Sequence, residues 1–164
     1  DHWKAMDTCV CMGASIGVGL GLRHVLPPDQ ARKVVSVIGD STFAHSGLTG
    51  IAEMVYNPPA TGHVVLILDN STTAMTGMQE HPGTGRRLDH ERTNRVVFEE
   101  VVKAMGVPRV EVMDPTADTA AFEKLVVDSL SSGQLCVIIA RRDCLLAVGK
   151  IRQYEKAAKE AGNE

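Results

Sequence analysis

Short apolar runs are the most regular feature of this sequence, and polar or helical stretches separate them. The runs at residues 34–38 and 64–68 are rich in valine and isoleucine and almost uninterrupted, which is typical of strands covered on both faces of a parallel sheet. Residues 135–140 repeat this pattern, while residues 107–113 are interrupted by Pro108 and predict a weaker strand near the sheet edge. We therefore expect four strands.

Helical periodicity fills the segments between and after these runs. It covers residues 13–25, 47–56, 94–105, 119–130 and 151–161. Strands that alternate with helices in this way predict right-handed crossovers and an α/β fold with a doubly wound, mainly parallel sheet. Residues 71–93 lack aliphatic periodicity and predict a long loop of the kind that carries function. We assign residues 1–149 to one domain and residues 150–164 to a C-terminal helix or tail.

Composition places the chain among ordinary globular proteins. Of its 164 residues, 44% are apolar and 23% are charged, and the formal net charge is −3, which argues against a nucleic-acid binder. No apolar run approaches the roughly 20 residues that span a bilayer, and no signal-peptide pattern opens the sequence, so we expect a cytoplasmic protein. Because the sequence does not begin with Met, we also expect it to be a piece of a longer subunit.

The four cysteines do not form a recognisable metal-binding pattern. The spacings of Cys9, Cys11, Cys136 and Cys144 match neither a paired C-x-x-C zinc site nor the run that holds an iron–sulfur cluster. We interpret them as reduced thiols that are buried in the core.

Polar residues follow two of the predicted strands. Gly39, Asp40, Ser41 and Thr42 come directly after the first strand, and Asn70 follows the second. Ligands of open α/β sheets bind at the carboxyl ends of the strands, and Mg²⁺ prefers oxygen ligands. We expect Asp40 and Asn70 to bind Mg²⁺, the glycine to turn the chain sharply, and the two hydroxyl residues to hold a phosphate near the start of a helix. Taken alone, the same residues are also common in turns.

The spacing of these residues resembles the thiamine diphosphate motif, in which Gly-Asp-Gly is followed by Asn-Asn after one helix–strand unit. Thirty positions separate Asp40 from Asn70. The resemblance implies that these two residues bind Mg²⁺ through their side chains and that Thr72 binds it through its main-chain carbonyl. Ser41 and Asp69 replace a glycine and an asparagine of the motif, but neither replaced residue is a side-chain metal ligand in the family.

A segment upstream resembles the beginning of the diphosphate-binding domain in the same superfamily. It reads Cys-Met-Gly-Ala-Ser-Ile-Gly-Val-Gly-Leu over residues 11–20. The resemblance implies that Gly13 and Ser15 contact the cofactor and that Ile16 supports its thiazolium ring. Such support folds the cofactor so that its own amino group can reach the C2 proton. Simple core packing of Ile16 and Met12 is the open alternative.

The long loop carries the most specific resemblance. Residues 68–79 read Leu-Asp-Asn-Ser-Thr-Thr-Ala-Met-Thr-Gly-Met-Gln, and His-Pro-Gly-Thr-Gly follows at residues 81–85. Over most of residues 5–145 the chain is similar to the thiamine diphosphate-dependent 2-oxoacid:ferredoxin oxidoreductases, and most of all to the C-terminal domain of the large (alpha) subunit of indolepyruvate ferredoxin oxidoreductases. The resemblance implies cofactor contacts from Ala74, Met75 and Thr76.

This family resemblance implies a specific reaction. Such enzymes decarboxylate aryl pyruvates on thiamine diphosphate, pass electrons through iron–sulfur clusters to ferredoxin and release an acyl-CoA. In the family, the glutamate that activates the cofactor lies in a separate pyrimidine-binding domain and the clusters lie in a ferredoxin-like module, and neither is recognisable in this sequence. We therefore expect a pyrimidine-binding domain, a smaller partner subunit and ferredoxin as partners, a dimeric assembly, and no activity of this fragment alone.

Three histidines in or near the loop are candidates for acid–base chemistry. His45 and His81 could contact substrate or donate protons, because imidazole titrates near neutral pH. His90 has the same chemistry farther along the loop. A structural or solvent-exposed role is the alternative for each of the three.

A basic cluster follows in the second half of the loop. It consists of Arg86, Arg87, Arg92 and Arg95. Guanidinium groups suit a substrate carboxylate or the phosphates of CoA. A solvated loop is the alternative, with Asp89 and Glu91 as local ion-pair partners.

Other functions share some of these features. A non-oxidative thiamine enzyme, such as a 2-oxoacid decarboxylase or an acetolactate-type synthase, has the metal motif but lacks the Thr-Ala-Met-Thr-Gly loop. A flavodoxin-like binding domain would use Asp40 as a turn residue and would need no thiamine diphosphate. A dinucleotide site is set aside, because the glycines of residues 17–21 have the wrong spacing and lie within a predicted helix.

Overall fold

Four strands alternate with helices in the computed structural model, which describes residues 6–161. The strands are β1 (Val35–Gly39), β2 (His63–Asp69), β3 (Arg109–Met113) and β4 (Leu135–Arg141). The helices are α1 (Ala14–Val25), α2 (Pro28–Ala31), α3 (Asp40–Thr42), α4 (Leu48–Tyr56), α5 (Phe98–Ala104), α6 (Thr119–Ser131) and α7 (Val148–Ala161), with a π-helical turn at Phe43–Gly47. The four predicted strands are thus present, close to their predicted bounds.

All four strands run parallel, in the order β1-β2-β4-β3. From β1 the chain adds β2 beside it and then β3 at the far edge, and β4 fills the position between β2 and β3. Right-handed crossovers therefore put α4 and α5 on one face and α6 on the other, which is the doubly wound α/β arrangement predicted from the sequence. The weakest predicted strand, β3, lies at the edge, as its interruption by Pro108 indicated.

The core has one layer on each side of the sheet. The larger layer buries Ile16 of α1, Met54 of α4 and Phe98 of α5 against the central strands. The smaller layer buries Val64 and Ile138 beneath α6. Fully burying one such side chain contributes about 1.5–3 kcal/mol. Because helices cover both faces of the sheet, β2 and β4 are apolar on both faces.

Two of the helices that connect strands begin several residues from their predicted starts. The helix expected over residues 47–56 begins earlier, because helical backbone continues without interruption from Asp40 through the π-helical turn to Tyr56. The helix expected over residues 94–105 begins only at Phe98, because the preceding residues belong to the long loop, where the N–H of Val96 donates to the carbonyl of Pro82.

A polar network joins α1 to β1 and the start of β2, and we call it the amino-edge network: Arg23, His63 and Ser36. Nε of Arg23 donates to Nδ1 of His63 at 2.9 Å, and its other nitrogens donate to two main-chain carbonyls and a hydroxyl. Nε2 of His63 lies 2.8 Å from Oγ of Ser36, which donates to a main-chain carbonyl of α1. Because Nδ1 accepts, the ring proton lies on Nε2, and each polar side-chain atom of the network has a partner.

Burial sets the charge states of this network. Burial, reinforced by the charge of Arg23, lowers the pKa of His63 to about 3, and burial lowers the pKa of Arg23 to about 10. His63 is therefore neutral and Arg23 charged at neutral pH. Gly19 allows the helix to approach, since a Cβ there would lie 2.1 Å from Oγ of Ser36.

The free cysteines are only partly buried. Cys136 of β4 is buried and Cys144 is half-buried, but Cys9 and Cys11 are exposed. The prediction of buried thiols is therefore wrong for these two, because the segment before α1 lies on the surface.

The predicted C-terminal helix is present as α7, which begins at Val148. Ile151 is buried, and the ring of Tyr154 stacks on His90 of the long loop, with centroids 4.0 Å apart. α7 therefore packs on the loop, while the predicted domain boundary at residue 150 stays a prediction.

The ends of the predicted domain and tail, residues 1–5 and 162–164, lie outside the described residues. In the described part of the chain, no helix is long and apolar enough to cross a membrane. The cytoplasmic location stays a prediction.

Candidate functional site

Asp40 lies at the centre of a polar cluster on the carboxyl edge of the sheet. It begins α3 directly after β1 and is only 2% exposed. Oδ1 accepts the N–H of Ser41 at 2.7 Å, and Oδ2 accepts the N–H groups of Asn70 and Ser71 at 2.9 and 3.0 Å. The carboxylate after β1 therefore fixes the main chain after β2, and the two halves of the predicted motif meet.

Asn70 and Thr72 form a tight turn beside this carboxylate. Oδ1 of Asn70 accepts the N–H of Thr72 at 3.2 Å, and the buried Thr72 donates from Oγ1 to a main-chain carbonyl across the loop. Ser71 between them has a φ of 63°, in the left-handed region that residues other than glycine seldom adopt. Its hydrogen bonds to Asp40 and Asp143 hold it there. Such strain is often found at ligand-binding sites.

Ser41, Thr42 and Gly13 lie where two helices begin beside Asp40. Oγ of Ser41 accepts a hydrogen bond from Oγ1 of Thr73 at 2.8 Å. Gly13 has a φ of 89°, and a Cβ there would lie only 2.3 Å from Oγ of Ser46. Glycine therefore allows the start of α1 to pack against the segment after β1. The two segments that resemble thiamine diphosphate-binding motifs, residues 11–20 and the residues after β1, are thus in contact. We call Gly13, Asp40, Ser41, Thr42, Asn70, Thr72 and His81 the carboxyl-edge site.

Gly39 does not make the sharp turn that the sequence predicts. Its φ of −77° and ψ of 155° are extended values that any residue adopts, so that prediction is wrong. A Cβ added to Gly39 would meet no atom within 4 Å. Glycine therefore leaves open space beside the backbone, next to Asp40, which a side chain would begin to fill.

Two of the three histidines considered for acid–base chemistry, His45 and His81, lie in different surroundings. His45 is exposed on the π-helical turn, whereas His81 is buried and stacks on Phe98. Nε2 of His81 lies 3.3 Å from Oδ2 of Asp40, without the geometry of a hydrogen bond, and Nδ1 accepts the N–H of Gly83 at 3.2 Å. Because Nδ1 accepts, the proton lies on Nε2 and faces the carboxylate. The catalytic roles of both histidines stay predictions.

An ion-pair chain behind the turn was not predicted from the sequence. Asp69, which ends β2 and is 1% exposed, accepts from Nε of Arg141 at 2.7 Å, and the same guanidinium forms two hydrogen bonds with Glu99. These bonds with Glu99 raise the pKa of Arg141 and lower that of Glu99. The sequence signal was slight, namely that a charged residue ends each of the two apolar runs.

The remaining predicted cofactor residues lie at the loop tip and in α1. Ala74, Met75 and Thr76 form a turn, in which Met75 is 87% exposed. Ile16 is 1% exposed and packs against a glycine of α4, so core packing accounts for its contacts, and its role beneath the thiazolium ring stays a prediction. Oγ of Ser15 is buried and has no hydrogen-bond partner among residues 6–161.

Comparison with family models identifies the architecture. The model described as "Thiamine pyrophosphate enzyme, C-terminal TPP binding domain" matches residues 1–140, which is most of the chain. The chain belongs to this family. TPP is thiamine diphosphate, so the resemblance drawn from the two strand ends is confirmed at the level of the family.

Curated relatives of this TPP-binding domain carry a common name. The indolepyruvate oxidoreductase subunit IorA of Archaeoglobus fulgidus is 40% identical over 152 residues, which cover 93% of this chain and 23% of the relative. The proteins of the same name from Thermococcus kodakarensis and Pyrococcus abyssi are 37% and 38% identical, over 92% and 93% of this chain and 24% and 25% of their own lengths. The chain thus spans about a quarter of the length of these relatives.

The residues of the carboxyl-edge site suit a diphosphate and a hard cation. Among the described residues, no group of three or more His, Cys, Asp or Glu side chains is placed to hold a metal ion. The predicted ligands form a different set, one carboxylate, one amide and one main-chain carbonyl, and all three offer the oxygen atoms that Mg²⁺ prefers. The open space beside Gly39 and the buried, unpartnered Nε2 of His81 are further features that a bound anionic group would use.

Proposed function

We propose that this chain is the Mg²⁺- and diphosphate-binding domain of a thiamine diphosphate-dependent oxidoreductase that oxidatively decarboxylates aryl pyruvates of the indolepyruvate type. The products would be an acyl-CoA and reduced ferredoxin, with the iron–sulfur clusters and the CoA site in other parts of the full enzyme. The observation that carries the proposal is the buried carboxylate of Asp40, which binds the main chain of Asn70 and Ser71. The printed name of the relatives supports the indolepyruvate assignment.

Asp40, Asn70 and Thr72 are the proposed magnesium ligands. A carboxylate offers about four lone-pair positions. Oδ2 of Asp40 already accepts two N–H groups, whereas Oδ1 accepts one and keeps a lone pair free for a cation. Oδ1 of Asn70 likewise accepts one N–H and keeps a second lone pair. The turn is therefore organised before the cation binds, since main-chain hydrogen bonds fix both side chains.

The diphosphate is proposed to lie between Gly39 and the hydroxyl residues that follow Asp40. Ser41 and Thr42 supply hydroxyl donors, and the space beside Gly39 admits an oxyanion close to the main chain. Gly13, Ser15 and Ile16 are proposed to contact the thiazolium end, and Ala74, Met75 and Thr76 to close over the cofactor. When bound, thiamine diphosphate supplies the carbanion chemistry of decarboxylation, and this domain holds and orients it.

A partner domain is part of the proposal. Leu145, Leu146 and Met75 are 74%, 80% and 87% exposed, and the N–H of Cys144 donates to the carbonyl of Asn70, so this apolar surface lies close to the proposed site. Exposed apolar groups beside a polar site are typical of a protein interface. We propose that a pyrimidine-binding domain covers them, that a smaller subunit and ferredoxin complete the enzyme as a dimer, and that the fragment alone is inactive.

Calorimetric titration with thiamine diphosphate tests the site. We expect binding in Mg²⁺ and none in EDTA, and we expect Asp40→Asn to weaken binding at least about a hundredfold, since it removes the only carboxylate among the proposed ligands. Asp29→Asn is the matched control, because Asp29 is exposed on α2 and carries the same charge. Thermal unfolding of both variants verifies that they fold.

A partner-supplemented titration separates the possible failures. If the chain alone does not bind, the same titration is made on the full-length subunit with and without Asp40→Asn. The proposal is overturned if neither protein binds thiamine diphosphate, or if binding is independent of Mg²⁺ and of Asp40 in both. Formation of aldehyde or acetolactate-type products without ferredoxin reduction would instead favour a non-oxidative thiamine enzyme.

A further inference from the structure

A small cleft lies between the second half of the long loop and α7. Its volume is about 220 Å³, and three arginines are among the residues that line it, Arg86, Arg92 and Arg95. Loop residues Thr84, Gly85, His90 and Thr93 also line it, together with Tyr154 and one acidic residue, Glu155, of α7. We call this space the arginine cleft. It is separate from the carboxyl-edge site, since none of the residues that line it belongs to that site.

The acidic residues nearby in sequence do not neutralise this cleft. Asp89 and Glu91 both pair with Arg87, which does not line the cleft. The two acids are thus local partners of Arg87, as in the alternative of a solvated loop, and neither pairs with Arg92 or Arg95. In the described part of the chain, the side chain of Arg92 has no hydrogen bond or ion pair.

The other two arginines differ in how much of their charge is free. Nε of Arg86 donates to Oε1 of Glu80 at 2.9 Å, and both side chains are nearly buried. Burial opposes ionisation of Glu80, but hydrogen bonds from Arg86, Thr84 and His90 outweigh it and hold its pKa below the ordinary value. Arg95 lies 4.0 Å from Asp69, whose carboxylate is already bound at 2.7 Å by another arginine. Arg92 and Arg95 therefore keep free donors.

The main chain holds these arginines on a fixed frame. Arg86 and Arg92 face each other in an antiparallel bridge, and the N–H of Thr93 donates to the carbonyl of Gly85 at 3.0 Å. Gly85 has a φ of 73°, and its ideal Cβ position lies 3.3 Å from Cβ of Arg95, so a glycine is needed where the loop closes. A frame of this kind reduces the entropy lost when a ligand binds.

From this geometry we propose that the arginine cleft binds an oxyanion, the phosphate or carboxylate group of a small molecule. Guanidinium groups form paired hydrogen bonds with both kinds of group. The stacked rings of His90 and Tyr154 on the wall offer an apolar surface beside the charges. The site does not depend on the proposed magnesium site, because its donors are on other residues.

Titrations in EDTA test the cleft without Mg²⁺. The probes are inorganic phosphate, adenosine 3′,5′-diphosphate and indole-3-acetate, and the readout is the amide spectrum of the 164-residue chain, with the Gly85 and Thr93 signals as reporters. We expect saturable shifts of both signals, and about tenfold or greater weakening in the double variant Arg92→Gln, Arg95→Gln. A phosphate source is indicated if the nucleotide binds best, and a carboxylate source if indole-3-acetate does.

Two further variants make the result decisive. Arg87→Gln removes one positive charge from the same loop outside the cleft, and it should change the affinity less than about twofold. Asp40→Ala should leave probe binding unchanged, so a failure of the magnesium site and a failure of the cleft are distinguishable. The proposal is overturned if no probe gives saturable shifts, or if Arg87→Gln weakens binding as much as the double variant. A cooperative thermal transition verifies that each variant folds.

Discussion

The amino-edge network and the carboxyl-edge site both bury polar groups between β1 and β2, but only the first is complete in itself. In the amino-edge network, each polar side-chain atom of Arg23, His63 and Ser36 has a partner. At the carboxyl edge, Nε2 of His81 and Oδ1 of Asp69 are buried without a hydrogen-bond partner among residues 6–161. An unpaired buried polar group lowers the stability of the fold by about 1–3 kcal/mol. A ligand or partner that forms hydrogen bonds with these atoms would recover this stability.

Whether buried polar atoms have hydrogen-bond partners distinguishes a structural cluster from a binding site better than the types of residue do. Both regions contain a histidine beside a charged group, and both cross from one strand to the next. A single unpaired atom is not sufficient evidence, since Oγ of Ser129 on α6 is also unpaired. What distinguishes the carboxyl edge is that unpaired atoms, a strained Ser71 and open space beside Gly39 occur together.

The largest expected effect concerns the ion-pair chain behind the carboxyl-edge site. Arg141→Gln should lower the free energy of unfolding by about 2–3 kcal/mol, because it leaves the buried Asp69 carboxylate without its closest cation. Arg142→Gln is the matched control, since Arg142 is next to Arg141 in the chain and forms an exposed pair with Asp114. This variant should cost less than about 0.5 kcal/mol. Urea unfolding measures both. Equal losses would show that Asp69 does not depend on Arg141.

A smaller effect tests how tightly the amino-edge network is packed. Gly19→Ala should cost about 2 kcal/mol, because the new Cβ would displace the Ser36 hydroxyl from its hydrogen bonds. Gly17→Ala in the same helix meets no atom within 4 Å and should raise stability by about 0.5–1 kcal/mol, through helix propensity alone. If Gly19→Ala proves as harmless as Gly17→Ala, the network is looser than its distances indicate.

The smallest effect is a dependence of stability on pH. Between pH 6.5 and about 3, His63 binds a proton in the unfolded chain but not in the folded one, because its folded pKa is lowered to about 3. The free energy of unfolding should therefore fall as the pH falls, by about 1 kcal/mol per pH unit from this residue. Unfolding curves between pH 6.5 and 5 measure the slope. His63→Gln should reduce it, and an unchanged slope would mean that His63 titrates normally.

The sequence predicted the strands and the meeting of Asp40 with Asn70 because both depend on local signals. Uninterrupted apolar runs mark strands buried on both faces, and the residue after such a run must lie at the carboxyl edge. Helix starts were less predictable, since Gly-Asp-Ser-Thr is as common in a turn as at the start of a helix. The helix that begins at Asp40 therefore became visible only in three dimensions.

The two buried ionic clusters could not be predicted from the sequence, and the reason is their long range. Arg23 and His63 are 40 positions apart, and Asp69 and Arg141 are 72 positions apart. Each residue interrupts or ends an otherwise apolar pattern, and nothing in the pattern says which partner it will meet. The arginine cleft was predicted in part, because the basic cluster and its two local acids are visible in the sequence, but not that both acids pair with Arg87.

Replacement of Mg²⁺ by paramagnetic Mn²⁺ tests the central claim most directly. The amide spectrum of the chain is recorded with thiamine diphosphate and a small amount of Mn²⁺, or in the full-length subunit if the chain alone does not bind. We predict that the signals of Asp40, Asn70 and Thr72 broaden first, while those of Arg23 and His63 stay sharp. Broadening that begins at the amino edge, or at the exposed carboxylates of Glu123 and Asp128 on α6, with Asp40 unaffected, would contradict a magnesium site at the carboxyl edge.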